Sequence, residues 1–359
     1  MSYPQTLNTP RQERPLLKFP GSPTISMGNK RVLFMPFVIG VILLVLLDVL
    51  IRLTPLDRFF NLQLGRDLLV KIEELSSPAL ADTDTVFIGT SRTLYGFATP
   101  YFNRLSKDMR AYNMGIAGSD VLIYRQILDN YIKHQGKPRR IFLELSEFEL
   151  SKVSLSQNSI NFLENEISQN PDLLWEMLAD PSLRWVDKKN LFLSAYSRIY
   201  RYRATLDFRQ LTKKILHPAP VDPIEQGWMK ASKTRGYMGD PKTRSMAAVT
   251  RYQQLMKNRV PSKGASILRF LDYCKAQAIP VTVITWPLHP DYTAQIRKNW
   301  QTRLLSQRRQ EVLQQYDARY IDLNQNVTMA QGDRFFTDID HLNPQGARYF
   351  TRKLVENIN

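Results

Sequence analysis

The chain has 359 residues, 49 of them Lys or Arg and 33 Asp or Glu, giving a formal net charge of +16. Hydrophobic residues make up 43% and aromatics 11%, which excludes a wholly disordered chain; at about 150 residues per domain, two compact units at most are expected. A single cysteine, Cys274, excludes an internal disulfide framework and a Cys-based zinc site, and four histidines leave little for a His-rich metal centre.

Residues 1–30 are rich in Pro, Ser, Thr and Gln and read as a flexible cytoplasmic tail. From Val32 to Ile51 the sequence is apolar apart from Pro36, Gly40 and Asp48. A helix of that length spans about 30 Å, the thickness of a bilayer core, whereas a buried core helix is usually shorter. Arg11, Arg14, Lys18, Lys30 and Arg31 precede it against a single Glu13, so the positive-inside rule leaves the N-terminus in the cytoplasm. Ile51-Arg52-Leu53-Thr54-Pro55 offers no small-residue cleavage site, which favours an uncleaved anchor over a signal peptide. Residues 31–53 are therefore read as a transmembrane signal anchor, with the bilayer as partner through 32–51, and 54–83 as a juxtamembrane linker.

From residue 84 onward strand-like and helix-like segments alternate. Thr85–Ile88 is a short apolar strand ending in Gly89-Thr90-Ser91-Arg92, and Met109–Asn113 is a second strand running into Gly115 and Gly118. Ser119 or Asp120 is placed to cap a helix with Val121, Tyr124, Leu128 and Tyr131 on its apolar face, and Arg140–Leu145 is the next strand. The alternation resumes with a helix near 264–277, the strand Val281–Ile284, a long basic helix around 291–316 and the strand Tyr320–Leu323. Ile296, Trp300 and Leu304 share one face of the basic helix, which reads as covering the sheet. A last helix starts at Pro344 with Asn343 as its N-cap and Ala347, Phe350 and Leu354 along one side. This order predicts an α/β fold, a parallel sheet with helices on both faces, across 84–359.

A helical insertion at about 150–262 interrupts the pattern. Residues 181–260 hold seventeen Lys or Arg against five acidic residues, whereas 151–180 hold one Lys and five acidic residues. A basic face of this kind suits an anionic polysaccharide or phospholipid headgroups, and an ordinary solvated surface is the plainer alternative. Nucleic acid is not expected as a partner, because no nucleic-acid module is recognisable and the domain is exported.

Three segments carry chemistry. Ser91 follows a strand, at the carboxyl end of the predicted sheet, where open α/β folds place their sites. Asn113-Met114-Gly115-Ile116-Ala117-Gly118-Ser119 follows the second strand; it departs from the dinucleotide spacing and has no phosphate-loop lysine, so its glycines suit backbone approach to a substrate oxygen. Asp338 and His341 lie three apart before the last helix, a spacing that lets the carboxylate meet the imidazole on a tight turn. Asp338, Asp340 and His341 also form a candidate metal cluster, with no second cluster in the sequence to complete a shell.

These three segments, in this order, resemble the SGNH (GDSL-type) hydrolase superfamily over about 84–150 and 264–357. The membrane-anchored branch represented by alginate O-acetylation and teichoic-acid D-alanylation proteins is the most similar. The resemblance implies a flavodoxin-like three-layer fold with Ser91 as nucleophile, His341 as its base and Asp338 orienting the imidazole. Backbone N–H groups of Ser91 and Gly118 would hold the oxyanion. No metal or cofactor is implied. The family's Gly-x-Asn-Asp block is missing, since its place reads Leu145-Ser146-Glu147-Phe148-Glu149. Arg92 is the nearest candidate for the lost donor, whose absence costs about 10²–10³ in rate.

The expected function is a membrane-anchored extracytoplasmic serine esterase or O-acetyltransferase acting on a cell-envelope or exopolysaccharide substrate, with a membrane acyl-donor protein as a partner of the transferase form. The expected location is a bacterial inner membrane, single-pass, with the C-terminal domain periplasmic or extracellular. The alternative is a non-catalytic membrane-tethered scaffold subunit of an envelope polysaccharide assembly.

Overall fold

Helix α1 runs Gly28–Leu53, and its stretch Met35–Leu53, with mean hydropathy 2.5, is long and apolar enough to cross a membrane. The computed structural model describes residues 28–54, 70–71, 74, 77–145, 155–181, 183–202, 224–231, 240–257, 265–298, 300–325 and 327–358. It divides into two units, Met1–Leu50 and Ile51–Asn359. In the first, Leu43, Leu44, Val45 and Leu46 all stand exposed. The tail 1–27 lies outside the described residues.

The second unit is built on parallel strands. Strand β1 (Thr85–Ile88) leads into helices α2 (Ser91–Gly96) and α3 (Thr99–Leu105) and then β2 (Ala111–Asn113). A 3-10 turn at Val121–Ile123 opens α4 (Tyr124–Gln135), and β3 (Arg140–Glu144) follows. Between β3 and the next sheet strand come α5 (Gln157–Gln169), α6 (Asp172–Ala179), α7 (Trp185–Tyr196) and α8 (Arg198–Arg201). A hairpin of β4 (Ile224–Glu225) and β5 (Trp228–Met229) and then α9 (Pro241–Lys257) complete this insertion. The chain returns through α10 (Ala265–Ala276), β6 (Val281–Thr285), α11 (Pro290–Lys298), α12 (Trp300–Gln315) and β7 (Arg319–Asp322). It ends with α13 (Met329–Phe335) and α14 (Pro344–Ile358).

The sheet order is β2-β1-β3-β6-β7, with every pairing parallel. Both faces of the sheet are covered, which is why its strands read as apolar runs rather than alternating with polar residues. Val86, Ile88, Ile141, Leu143 and Val283 point into one core with Ile127, Leu128, Phe270 and Leu271 of α4 and α10. Phe87, Phe142, Ile284 and Ile321 point into the other with Phe97, Phe102, Phe350 and Leu354. Phe87 stacks between Phe97 and Phe142, at centroid distances of 3.4 and 4.5 Å. The predicted α/β fold is the one observed.

Several local readings are corrected. Asp120 sits at the N-cap position but makes no side-chain cap; its carboxylate instead accepts from Ser156 N–H at 2.8 Å and Ser159 Oγ at 2.9 Å, pinning α5. Ser119 Oγ donates to Gly89 O at 2.9 Å. The basic run 291–316 is two helices. Tyr292 and Ile296 of α11 pack with Ala248 of α9 and with Ile339, away from the sheet; Val312 and Leu313 of α12 join the core with the sheet residues. The side chains of Trp300 and Leu304 lie outside the described residues. Lys71 and Glu74, in the stretch read as a linker, are docked: Lys71 Nζ donates to Asn113 O and Gly115 O, both at 2.6 Å, and Glu74 accepts from Tyr112 OH at 2.7 Å.

Candidate active site

The strand order reverses between β1 and β3, and ligands of open α/β sheets bind outside the carboxyl ends of the strands at such a point. Ser91 lies three residues beyond the end of β1, and Glu144 is the last residue of β3. Thr90 is the N-cap of α2, its hydroxyl accepting from Arg92 N–H at 3.3 Å. Glu144 is buried and holds this turn: Oε2 accepts from Thr90 N–H (2.8 Å), Thr93 N–H (3.1 Å) and Thr93 Oγ1 (2.6 Å), and Oε1 accepts from Thr90 Oγ1 (2.8 Å). Trp286 Nε1 donates to Thr93 Oγ1 at 3.0 Å. Leu94 N–H reaches Thr90 O, so among residues 90–94 only the Ser91 N–H has no acceptor among the described residues.

His341 lies on the turn between α13 and α14. A bridge between Phe336 and Leu342 and a bond from Thr337 N–H to His341 O (2.8 Å) close that turn. Asp338 Oδ1 accepts from the N–H groups of Asp340 (3.0 Å) and His341 (2.8 Å). The imidazole Nδ1 lies 2.8 and 2.9 Å from the two oxygens of Asp338, and Nε2 lies 2.7 Å from Ser91 Oγ. Asn343 caps α14 as expected, Oδ1 accepting from Gly346 N–H at 2.9 Å. The sequence-predicted Ser91, His341 and Asp338 therefore form one connected chain of hydrogen bonds.

Gly118 is also brought to this edge. It has φ +69°, a conformation that costs glycine little. Ile116 N–H (3.1 Å) and Ser119 Oγ both donate to Gly89 O, which ties its loop to the Ser91 turn. Its own N–H has no acceptor among the described residues. Arg92 is buried with its guanidinium 3.9 Å from Asp340, so its charge is committed beside the imidazole. Ser146, Glu147, Phe148 and Glu149, where the missing block belongs, lie outside the described residues.

Asp340 was not singled out as part of a triad. Its Oδ1 lies 3.2 Å from His341 Nδ1, and Arg251 of α9 approaches its Oδ2 at 3.5 Å. Burial alone would raise the Asp340 carboxyl, but the charge and hydrogen bond of His341 and the charges of Arg92 and Arg251 hold it well below the usual range. Burial likewise opposes charge on His341; Asp340 and then Asp338 outweigh it and lift the imidazole to about 9. Ligand atoms of Asp338, Asp340 and His341 lie within 4.8 Å of one another, but both imidazole nitrogens are engaged, one by carboxylates and the other by Ser91.

A second buried imidazole supports the turn from below. The backbone N–H of His289 donates to Ile339 O at 3.0 Å, and its ring meets the Phe336 ring edge-on. Arg244 of α9 pairs with Asp291 (3.3 Å) and Asp333 (3.0 Å) around it. The basic insertion thus reaches the site through Arg244 and Arg251. Burial lowers the His289 pKa, with Arg244 adding to the effect and Asp291 and Asp333 opposing it. Glu144 had a sequence signal, a lone carboxylate closing the apolar run Ile141-Phe142-Leu143. Arg251 and His289 had none, because only the fold brings them to the turn.

No curated protein matches this chain. A solved structure described as "a putative platelet activating factor from Streptococcus pneumonia" aligns at 13% identity and TM-score 0.36, covering 85% of this chain and 97% of that one. The family described as "Protein of unknown function (DUF1574)" matches residues 27–358, and the chain belongs to that family.

Proposed function

We propose that this protein is a membrane-anchored serine acyl-transfer enzyme of the SGNH type, an esterase or O-acetyltransferase of the cell envelope. The observation that carries the reading is the unbroken chain Ser91 Oγ, His341 and Asp338, at 2.7 and 2.8 Å. Neutral His341 takes the proton of Ser91 as Oγ attacks an ester carbonyl carbon, and Asp338 holds the imidazole so that Nε2 is the acceptor. The N–H groups of Ser91 and Gly118 receive the developing oxyanion. The imidazolium then gives its proton to the leaving oxygen, and an acyl-Ser91 remains. Water, or a sugar hydroxyl deprotonated by His341, attacks the acyl carbon and releases Ser91.

The apolar span and the basic residues before it support a cytoplasmic N-terminus and an extracytoplasmic site. The positive excess of 181–260, with Arg244 and Arg251 at the site's margin, favours an anionic polysaccharide acceptor, and the anchor favours a membrane acyl donor. The test is labelling of the detergent-solubilised full chain by a fluorophosphonate, alongside aryl-acetate hydrolysis. Wild type labels and hydrolyses, whereas Ser91→Ala and His341→Ala do neither. Hydrolysis by Ser91→Ala at the wild-type rate, or no labelling of wild type across the alkaline range, overturns the assignment in favour of a scaffold.

A further inference from the structure

Helix α7 is inverted relative to an ordinary surface helix. Its inward face carries Asp187 and Ser194, which are 2% and 1% exposed, with Leu191 between them. Its outward face carries Trp185 (76% exposed), Val186, Phe192, Leu193 and Tyr196 (58% exposed). Those positions recur at helical spacing, so the apolar side chains form one stripe, and Lys189 stands exposed within it. The one acidic residue of the helix, Asp187, is turned inward, where Arg184 meets it at 3.1 Å. Exposed apolar surface gathered on one helix marks a face that something covers.

The chain itself points to what covers it. Arg52, in the last turn of the apolar span, donates from its guanidinium to the backbone carbonyl of Tyr196 at 2.6 Å. The carboxyl end of α7 is thus bonded to the place where the span ends. Trp, Tyr and Phe with neighbouring Lys is the composition that settles at a membrane–water boundary, with rings where headgroups meet acyl chains and ammonium groups among the phosphates.

We propose that α7 lies in the bilayer interface, its Trp185–Tyr196 stripe immersed below the headgroups of anionic phospholipid, and holds the active-site unit against the membrane. The proposal rests on the reading that Met35–Leu53 crosses the bilayer.

The test uses the full chain in nanodiscs of phosphatidylcholine with phosphatidylglycerol. In a Cys274→Ala background, nitroxides are attached at Trp185→Cys and Phe192→Cys, at Leu44→Cys as a bilayer reference and at Lys137→Cys as an aqueous one. The expected result is that labels at 185 and 192, like that at 44, meet oxygen several-fold more readily than a water-soluble nickel chelate, with the opposite preference at 137. Labels at 185 and 192 that match 137 while 44 stays in lipid overturn the docking but leave the span intact. A water-like label at 44 overturns the span itself. Spin–spin broadening at 192 that disappears on dilution with unlabelled protein identifies a second copy of the chain as the cover, and also overturns the proposal.

Discussion

Glu144 and Thr90 are joined twice across the point where the strand order reverses: the carboxylate accepts both the N–H and the hydroxyl of Thr90, each at 2.8 Å. With the two bonds from Thr93, four donors converge on one buried side chain beside Ser91. Glu144→Ala leaves two N–H groups and two hydroxyls without their acceptor. It is expected to cost about 3 kcal/mol or more in chemical denaturation and to abolish fluorophosphonate labelling. Glu144→Gln keeps the shape but turns an NH₂ toward a donor, so it should fall between Ala and wild type in both measurements.

Gly89 has no room for a side chain. A Cβ there would lie 2.2 Å from Thr93 Oγ1 and 2.4 Å from Glu144 Oε2. Gly89→Ala should therefore lower the denaturation midpoint and remove labelling together. Gly40→Ala, with nothing within 4 Å of the added methyl, should change neither.

The two carboxylates on His341 make a pH prediction with a definite sign. With its pKa lifted to about 9, about one imidazole in a hundred is neutral at pH 7. Aryl-acetate hydrolysis should rise about tenfold per pH unit below pH 8 and level off near 9. Asp340→Asn removes the leading stabiliser of the imidazolium and leaves Arg92 and Arg251 to oppose it, so the rising limb moves to lower pH. Asp338→Asn also removes control of the tautomer, a loss that costs about 10⁴ in a serine protease triad, and no pH should restore the rate.

The two buried imidazoles bias stability in opposite directions. His341 is raised above its ordinary 6.5, so its contribution is complete below that value and fades as pH climbs through about 9. His289 is lowered, so its contribution is complete above 6.5 and fades as pH falls through its folded value. In urea titrations across pH, His341→Gln should flatten the loss between about 6.5 and 9, and His289→Gln the loss on the acid side. Interchange of the two effects would contradict the assignment.

The strands were legible because each is a short apolar run closed by a turn residue, and a sheet buried on both faces needs no more than that. Ser91, Asp338 and His341 were legible because strand-end position and tight-turn spacing are local properties. Asp340 was in view as a metal candidate, but its place on Nδ1 depends on how the turn from Phe336 to Leu342 closes. Arg251 and Arg244 come from a helix about ninety residues upstream, and the ion pairs they make have no signature in spacing. Helix α7 turns its apolar face outward, and a sequence does not say which side of a helix is inside.

The hydroxyl of Ser91 and the His341 nitrogen it meets are 250 positions apart. At translation speeds of 5–20 residues per second, roughly 10 to 50 seconds separate their emergence from the ribosome. Throughout that interval the nascent polypeptide carries the Ser91 hydroxyl without the His341 imidazole. On the proposed mechanism, a product terminated before residue 341 cannot form the acyl-Ser91 intermediate.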